Sequence, residues 1–434
     1  MPKVGVTPNI VTYNTLIDGY CLSENVDKAL YLFSLMYQNG VAPNVITCNT
    51  LVHYFCNKGL IDQAKKLLVQ ILDDNNAANV ITTTIFIDGH CQTGDLKQGL
   101  ELWNEMLNKG IRVDRIAYNV LIHGFSLVQK TKLAYIYVSD MFKRGFPPDI
   151  VTFNTLIGGH FKEGEIDEAL DLHGKMTLFN VVPDHISYRL LIRGLYLHDY
   201  KFRGFQCIRK MLSDQMVPEP LMWNLVINGY ARCGETYHAT MLTSMMVACG
   251  VLPNTYTYNA LILAEVNSGR VAQAINLKEV MIARGQFPDV VTYNLLIRAT
   301  CNIGYTSHAQ KLLREMLNQG YKPDFITHTE LIRGHCLNGE MEKAEDILRK
   351  LELTSHFTFD HVPFQIIIKH YCKMRKLAEA YEIYKKMVSK GLVGSYSLYH
   401  SLSAELRNRG YHQEAIQVYD KMVSVVLQEC EGVG

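Results

Sequence analysis

Apolar residues fall along this chain in a two-part phrase. Tyr13, Leu16, Ile17 and Tyr20 stand at i, i+3, i+4 and i+7, the stripe of an amphipathic helix (helix A). After a break, a second stripe runs through Val26, Ala29, Leu30, Phe33 and Met36 and predicts helix B. The phrase then returns: Val-Thr-Tyr-Asn-Thr-Leu-Ile at 11–17 recurs as Ile-Thr-Cys-Asn-Thr-Leu-Val at 46–52, Val-Thr-Phe-Asn-Thr-Leu-Ile at 151–157 and Val-Thr-Tyr-Asn-Leu-Leu-Ile at 291–297. Gly often marks the break between the stripes (Gly59, Gly94, Gly164, Gly234, Gly269, Gly304, Gly339, Gly410). Pro closes most phrases (Pro43, Pro148, Pro183, Pro218, Pro253, Pro288, Pro323), because it cannot continue a helix.

Two ladders fix the period. A small residue recurs at Ala29, Ala64, Gly99, Ala134, Ala169, Gly204, Ala239, Ala274, Ala309, Ala344, Ala380 and Ala415, in steps of 35 residues with one step of 36. Seven residues beyond each stands Met36, Ile71, Met106, Met141, Met176, Met211, Met246, Met281, Met316, Leu351, Met387 or Met422. The ladders divide the chain into twelve units: 10–44, 45–79, 80–114, 115–149, 150–184, 185–219, 220–254, 255–289, 290–324, 325–360, 361–395 and 396–430, with a tail at 431–434. Residues 1–9 fit the end of a preceding unit, with Gly5, Pro8 and Asn9 in place and Met1 on the methionine ladder. The expectation is therefore an array that starts upstream of Met1.

One helix pair cannot bury two apolar stripes alone, so neighbouring pairs must stack into an all-α solenoid with a shared core and an inner groove. The small residues mark the crossing of helices A and B. At 434 residues the chain exceeds one ordinary globular core, a limit that an array escapes. Hydrophobic residues make up 48% and charged ones 20%, which leaves no sign of disorder. No apolar run is long enough for a membrane helix. Forty-three Lys and Arg balance forty-two Asp and Glu, so net charge argues for no polyanionic partner.

The unit resembles the pentatricopeptide repeat over residues 10–430, in its pure 35-residue P-class form found in plant organelles. The tetratricopeptide repeat has a shorter period and Gly after the opening Leu. Here that place holds Ile17, Ile87, Ile122, Ile157, Ile192, Ile227, Ile262, Ile297 and Ile332. The resemblance implies a right-handed superhelix that binds single-stranded RNA, one base per unit. It implies that the fifth and last residues of each unit read the base edge: Asn14–Asn44, Asn49–Asn79, Thr84–Asp114, Asn119–Asp149, Asn154–Asp184, Asn224–Asn254, Asn259–Asp289, Asn294–Asp324 and Thr329–Asp360. The second residues, Val11, Ile46, Ile81, Ile116, Val151, Ile186, Leu221, Tyr256, Val291 and Ile326, are implied to stack on base faces. Amides and hydroxyls both donate and accept, as base reading requires. Asn and Thr early in a helix can also bond locally, but a bare solenoid surface is expected to need no such pairing with a last residue. By the family's correspondence the target is 5′-YYGUUnYUUGnn-3′. Arg189 with Glu219, Gln365 with Ser395 and His400 with Cys430 depart from the pattern.

Other chemistry recedes. Cys21, Cys56, Cys91, Cys301, Cys336 and Cys372 share the twelfth place, yet packed helices lie about 8–10 Å apart, too far for the usual disulfide span of about 5.5–6 Å between Cα atoms; they read as small core residues. His90–Cys91 and His335–Cys336 are sequential on a helix and point apart, so no metal site is expected. His412-Gln413-Glu414 has the first spacing of a deaminase zinc signature, but no Cys-x-x-Cys accompanies it. With no nucleophile elbow or phosphate loop either, the reading is a binding protein without catalysis or cofactor. The opening residues read as neither a signal peptide nor an organellar presequence, in keeping with the expectation that the array starts upstream. The resemblance points to an organelle, the mitochondrion before the chloroplast. The competing reading is a protein-binding scaffold of tetratricopeptide-like type.

Overall fold

The computed structural model describes residues 7–71, 79–353 and 360–431. Met1, Gly5 and the side chain of Cys430 lie outside the described residues. The chain divides into two compact bodies, Met1–Pro218 and Glu219–Gly434.

The N-terminal body runs α1 (Ile10–Leu22), α2 (Val26–Gln38), α3 (Val45–Asn57), α4 (Ile61–Ile71), α5 (Val80–Gln92), α6 (Leu96–Asn108), α7 (Arg115–Leu127), α8 (Thr131–Lys143), α9 (Ile150–Glu163), α10 (Ile166–Lys175), α11 (His185–Leu197) and α12 (Lys201–Ser213). The C-terminal body runs α13 (Pro220–Arg232), α14 (Thr236–Ala248), α15 (Thr255–Asn267), α16 (Val271–Ala283), α17 (Val290–Asn302), α18 (Thr306–Asn318), α19 (Phe325–Leu337), α20 (Met341–Leu353), α21 (Val362–Lys373), α22 (Leu377–Ser389), α23 (Tyr396–Asn408) and α24 (His412–Glu431). No strand occurs among the described residues. Within each body an odd-numbered helix packs on the even-numbered one that follows it and on the odd-numbered helices beside it. The fold is an all-α solenoid of helix pairs.

Local chemistry sets the helix ends. Asn9, Asn44, Asn79, Asp114, Asp149, Asp184, Asn254, Asp289 and Asp324 are extended N-caps whose side chains accept from a backbone N–H within the first turn. Each such cap contributes about 1 kcal/mol. All eight break glycines adopt positive φ, from 71° at Gly234 to 86° at Gly410. That left-handed turn is cheap only for Gly.

The ladders are core. Ala29, Ala64, Ala134, Ala169, Ala239, Ala274, Ala309, Ala344 and Ala380 are wholly buried, as are Met36, Met141, Met176, Met211, Met246, Met281, Met316 and Met387. Leu16 is exposed although it lies on the predicted stripe: among the described residues α1 packs on α2 and α3, whereas its counterparts Leu51, Leu121, Leu156 and Leu191, each on a helix that also packs on the odd-numbered helix before it, are buried.

A second small-residue position emerges at the tenth place. A Cβ added at Gly89 would lie 2.7 Å from Cys56 Cβ, one at Gly124 2.8 Å from Cys91 Cβ, and one at Gly334 2.7 Å from Cys301 Cβ. The twelfth-place cysteines therefore fill the seam between successive odd-numbered helices. Burial first, with nearby acidic groups second, pushes the Cys56, Cys91 and Cys301 thiols up to about 12. Thiols held neutral in this way are poor nucleophiles and ligands.

Candidate nucleic-acid interface

The second places are apolar but unburied. Val11, Ile46, Ile81, Ile116, Val151 and Ile186 in the N-terminal body, and Leu221, Tyr256, Val291 and Ile326 in the C-terminal body, are all exposed. In the C-terminal body Leu221, Tyr256 and Val291 line one cavity of about 470 Å³ together with Asn224, Asn254 and Asn259. Second, fifth and last places thus open onto the same space.

The polar residues are tied into a repeating network, built because the last residues Asn44, Asn79, Asp114, Asp149, Asp184, Asn254, Asp289 and Asp324 are also the N-caps of the next odd-numbered helices. In the C-terminal body Asn224 Nδ2 donates to Asn254 Oδ1 at 3.2 Å, Asn259 Nδ2 to Asp289 Oδ1 at 3.0 Å, and Asn294 Nδ2 to both oxygens of Asp324 at 3.1 and 3.2 Å. In the N-terminal body Asn14 donates to Asn44 at 3.4 Å and Asn119 to Asp149 at 3.2 Å. The other side of each amide is held by a hydroxyl from the next pair's third place. Thr47 donates to Asn14 Oδ1, Thr152 to Asn119, Thr292 to Asn259 and Thr327 to Asn294, each at 2.6 Å. Thr82 donates to Asn49 and Thr257 to Asn224, both at 2.7 Å. These threonines are fully buried.

This corrects the expectation that a solenoid surface needs no such pairing: the pairs also staple one helix pair to the next. It also orients them. With Oδ1 of the fifth-place Asn receiving the Thr hydroxyl, its amide nitrogen must face the cap, and one N–H is left over. The cap spends Oδ1 on the helix end, so Asp289 retains Oδ2 as an acceptor, Asp149 Oδ2 stands 3.6 Å from the Arg115 guanidinium, and Asn44 and Asn254 retain Nδ2 as a donor. At Asp149, burial raises the carboxyl's pKa, but bonds from the Thr152 N–H and hydroxyl and the Asn119 amide, with Arg115 nearby, outweigh it and hold the group below its usual range.

Four places differ. Asn154 meets Ser187 instead of Thr, and Ser187 donates to Asp184 Oδ1 at 3.0 Å, leaving Asn154 Oδ1 buried without a partner. Thr84 and Thr329 donate to the carbonyls of Val80 and Phe325 at 2.6 and 2.8 Å, so only their lone pairs remain. Asp114 still caps α7 through Ala117 N at 2.8 Å. Asp360 departs from the expected pattern: His361 holds the N-cap position of α21, and Asp360 is exposed and pairs with His361 Nδ1 at 2.8 Å. In the next pair, Gln365 Nε2 donates to Ser395 Oγ at 2.9 Å, keeping the connection with other residue types. His400 stacks on Tyr396, centroids 6.1 Å apart.

His160, Glu163 and Glu165 cluster as metal-type ligands, but their atoms are already engaged. His160 Nδ1 meets Glu165 Oε2 and its Nε2 meets the Tyr135 hydroxyl, both at 2.8 Å; Glu163 accepts from Thr131 N and Glu165 from Lys132 Nζ, both at 2.6 Å. The cluster is a staple between α8 and α9. The third-place threonines are the residues sequence reasoning missed, although Thr recurs at 12, 47, 82, 152, 257, 292 and 327.

The family model described as PPR repeat family matches residues 8–57, 43–92, 78–127, 114–159, 148–196, 218–265, 257–302 and 288–337, and that described as PPR repeat matches 326–353 and 362–392. The crystal structure of the pentatricopeptide repeat protein PPR10 from maize aligns with 98% of this chain and 70% of its own at 22% identity and a TM-score of 0.57. PPR10 in complex with an 18-nt psaJ RNA element aligns over 98% and 76% at 21% identity and a TM-score of 0.47. No curated protein sequence matches the chain. With repeat matches spread over well more than half of its length, the chain belongs to the pentatricopeptide repeat family.

Proposed function

We propose that this protein binds single-stranded RNA sequence-specifically, one base per helix pair, as a non-catalytic P-class factor that processes, stabilises or enables translation of an organellar transcript. The observation that carries the reading is the oriented polar pair beside exposed apolar second residues. Asn with Asp offers a donor and an acceptor, which suits uracil, whose edge has a carbonyl beside N3–H. Asn with Asn offers donors, and cytosine N3 accepts. Thr84, whose proton is spent on Val80, offers only an acceptor beside Asp114 and suits the two donors of guanine. The proposed target is 5′-YYGUUnYUUGnn-3′, with Asn14, Asn44, Asn49, Asn79, Thr84, Asp114, Asn119, Asp149, Asn154, Asp184, Asn224, Asn254, Asn259, Asp289, Asn294, Asp324 and Thr329 as readers. Asp360 belongs to this set as the last residue of its unit, with His361 and not Asp360 capping the next helix.

Unbiased selection of bound RNA followed by sequencing tests target and register together. Asn154→Thr should turn the fifth selected base from U to G. A protein-binding scaffold would show no enriched motif and no response to that substitution. We place the action in the mitochondrion in preference to the chloroplast, which imaging of a tagged native gene product decides.

A further inference from the structure

Eleven of the twelve second places hold Val, Ile, Leu or Ser; Tyr256 is the one aromatic. It sits in the first turn of α15, which packs between α13 and α17, so the ring stands between Leu221 and Val291 on the cavity wall. It is 75% exposed and forms no ring contact among the described residues. A large apolar surface is kept out of the core here, although burying it would be favourable. The rest of the cavity is uncharged, its polar groups being the amides of Asn224, Asn228, Asn254 and Asn259 beside Leu225, Ala260, Leu263 and Leu295. A neutral, amide-floored space with a free aromatic face fits a flat heterocycle with polar edges better than a phosphate or a charged side chain.

We infer that Tyr256 is the anchor of the bound strand, stacking between the seventh and eighth bases and making this dinucleotide step the strongest single contributor to affinity. The inference rests on the RNA reading above and adds where along the strand the affinity is concentrated. An aromatic ring stacks with every base, so the step contributes binding strength while the flanking amide pairs supply identity. No phosphate is engaged by the cavity, so the contribution carries no counterion release and is independent of salt.

The full chain is titrated with the predicted twelve-base oligonucleotide and with the same oligonucleotide made abasic at positions seven and eight. Tyr256→Val should weaken binding to the intact strand roughly tenfold, by the same factor at low and moderate salt, while Tyr256→Phe and Tyr256→Trp bind as well as the parent. Parent and Tyr256→Val should bind the abasic strand equally. Since the side chain is exposed, far-ultraviolet circular dichroism of the variants should match the parent. Equal binding of parent and Tyr256→Val to the intact strand overturns the anchor while leaving the RNA reading in place, as does a loss that persists on the abasic strand. Failure of the parent to bind any single-stranded RNA overturns the RNA reading and the anchor with it.

Discussion

Replacing Thr292 with Val removes one hydroxyl from the middle of the polar network. That hydroxyl donates to Asn259 Oδ1 at 2.6 Å and accepts from Asp289 N–H at 3.1 Å. The backbone bond from Thr292 N to Asp289 Oδ1 at 2.9 Å survives, so the carboxylate half of the capping box at α17 persists. What is lost is the partner of an acceptor on Asn259, itself only 7% exposed, together with the acceptor for the Asp289 N–H, the reciprocal half of the capping box. An orphaned buried acceptor costs about 1–3 kcal/mol; with the Asp289 carboxylate still capping the helix, the expected loss is about 1–2 kcal/mol, or roughly 5–30-fold in a local opening equilibrium. Global melting is a poor readout for a repeat array, whose parts open semi-independently. Native-state hydrogen exchange of α15 and α17 is the suitable assay, and it should accelerate there while α3 and α5 are unchanged. The same substitution frees the Asn259 amide to turn over, so discrimination at the eighth base should fall as well. Unchanged exchange in α17 together with unchanged base selectivity would refute the view that the third-place hydroxyl orients the fifth-place amide. Ser187→Thr is the reciprocal change: it offers Asn154 Oδ1 its missing donor, fixes the hydroxyl rotamer through the added methyl, and should slow exchange in α9 and α11.

Gly334→Ala places a Cβ 2.7 Å from Cys301 Cβ, so α17 and α19 must part; a loss of about 1–3 kcal/mol and faster exchange in both helices are expected, and an unaltered exchange pattern counts against the seam. Ala169→Leu should overpack the crossing of α9 and α10 at a similar cost of about 1–3 kcal/mol, read by exchange in those helices. The Asp149 carboxyl is held below its ordinary range in the folded state, so its contribution to stability is complete above the pKa of the unfolded chain and disappears as pH falls through the lowered folded value. Asp149→Asn should flatten that acid limb in exchange measured on α9, and should move selection at the fourth base from U toward C. Affinity for the target should fall only shallowly with added salt; a slope equivalent to about ten phosphate contacts contradicts stacking and edge bonding as its source.

Periodicity carried most of the architecture, because two ladders locked in phase leave a helix pair few ways to pack. The fifth and last places were legible through family resemblance, and the structure adds why they are tied together: Asn44, Asp149 and Asp289 are helix caps as well as cavity-facing groups. That dual role was hidden because a helix boundary cannot be fixed to one residue from pattern alone. The hydroxyl of Thr292 was overlooked for a related reason, since its partner lies 33 residues away and no local rule links them. Asp360 differs from its counterparts because the N-cap of α21 is His361, one residue later, which the unit boundary drawn from the ladders does not reveal. The tenth-place glycines were unreadable without the neighbouring helix, as nothing in a single unit explains why Gly89 or Gly334 should forgo a methyl group.

Those glycines also determine how the array can be cut and spliced. Cys56 meets Gly89, Cys91 meets Gly124, Phe161 meets Gly194 and Cys301 meets Gly334, so bulk on one helix is matched to a void on the next. Exchanging whole units at their nominal ends would separate these partners and set, for example, Phe161 against a seam shaped for cysteine. The interchangeable module is instead a frame shifted by about a third of a unit, opening before the twelfth place of one helix pair and closing after the tenth of the next. Recoding such an array by transplantation should succeed when joints are made within that frame and fail when they follow the unit boundaries.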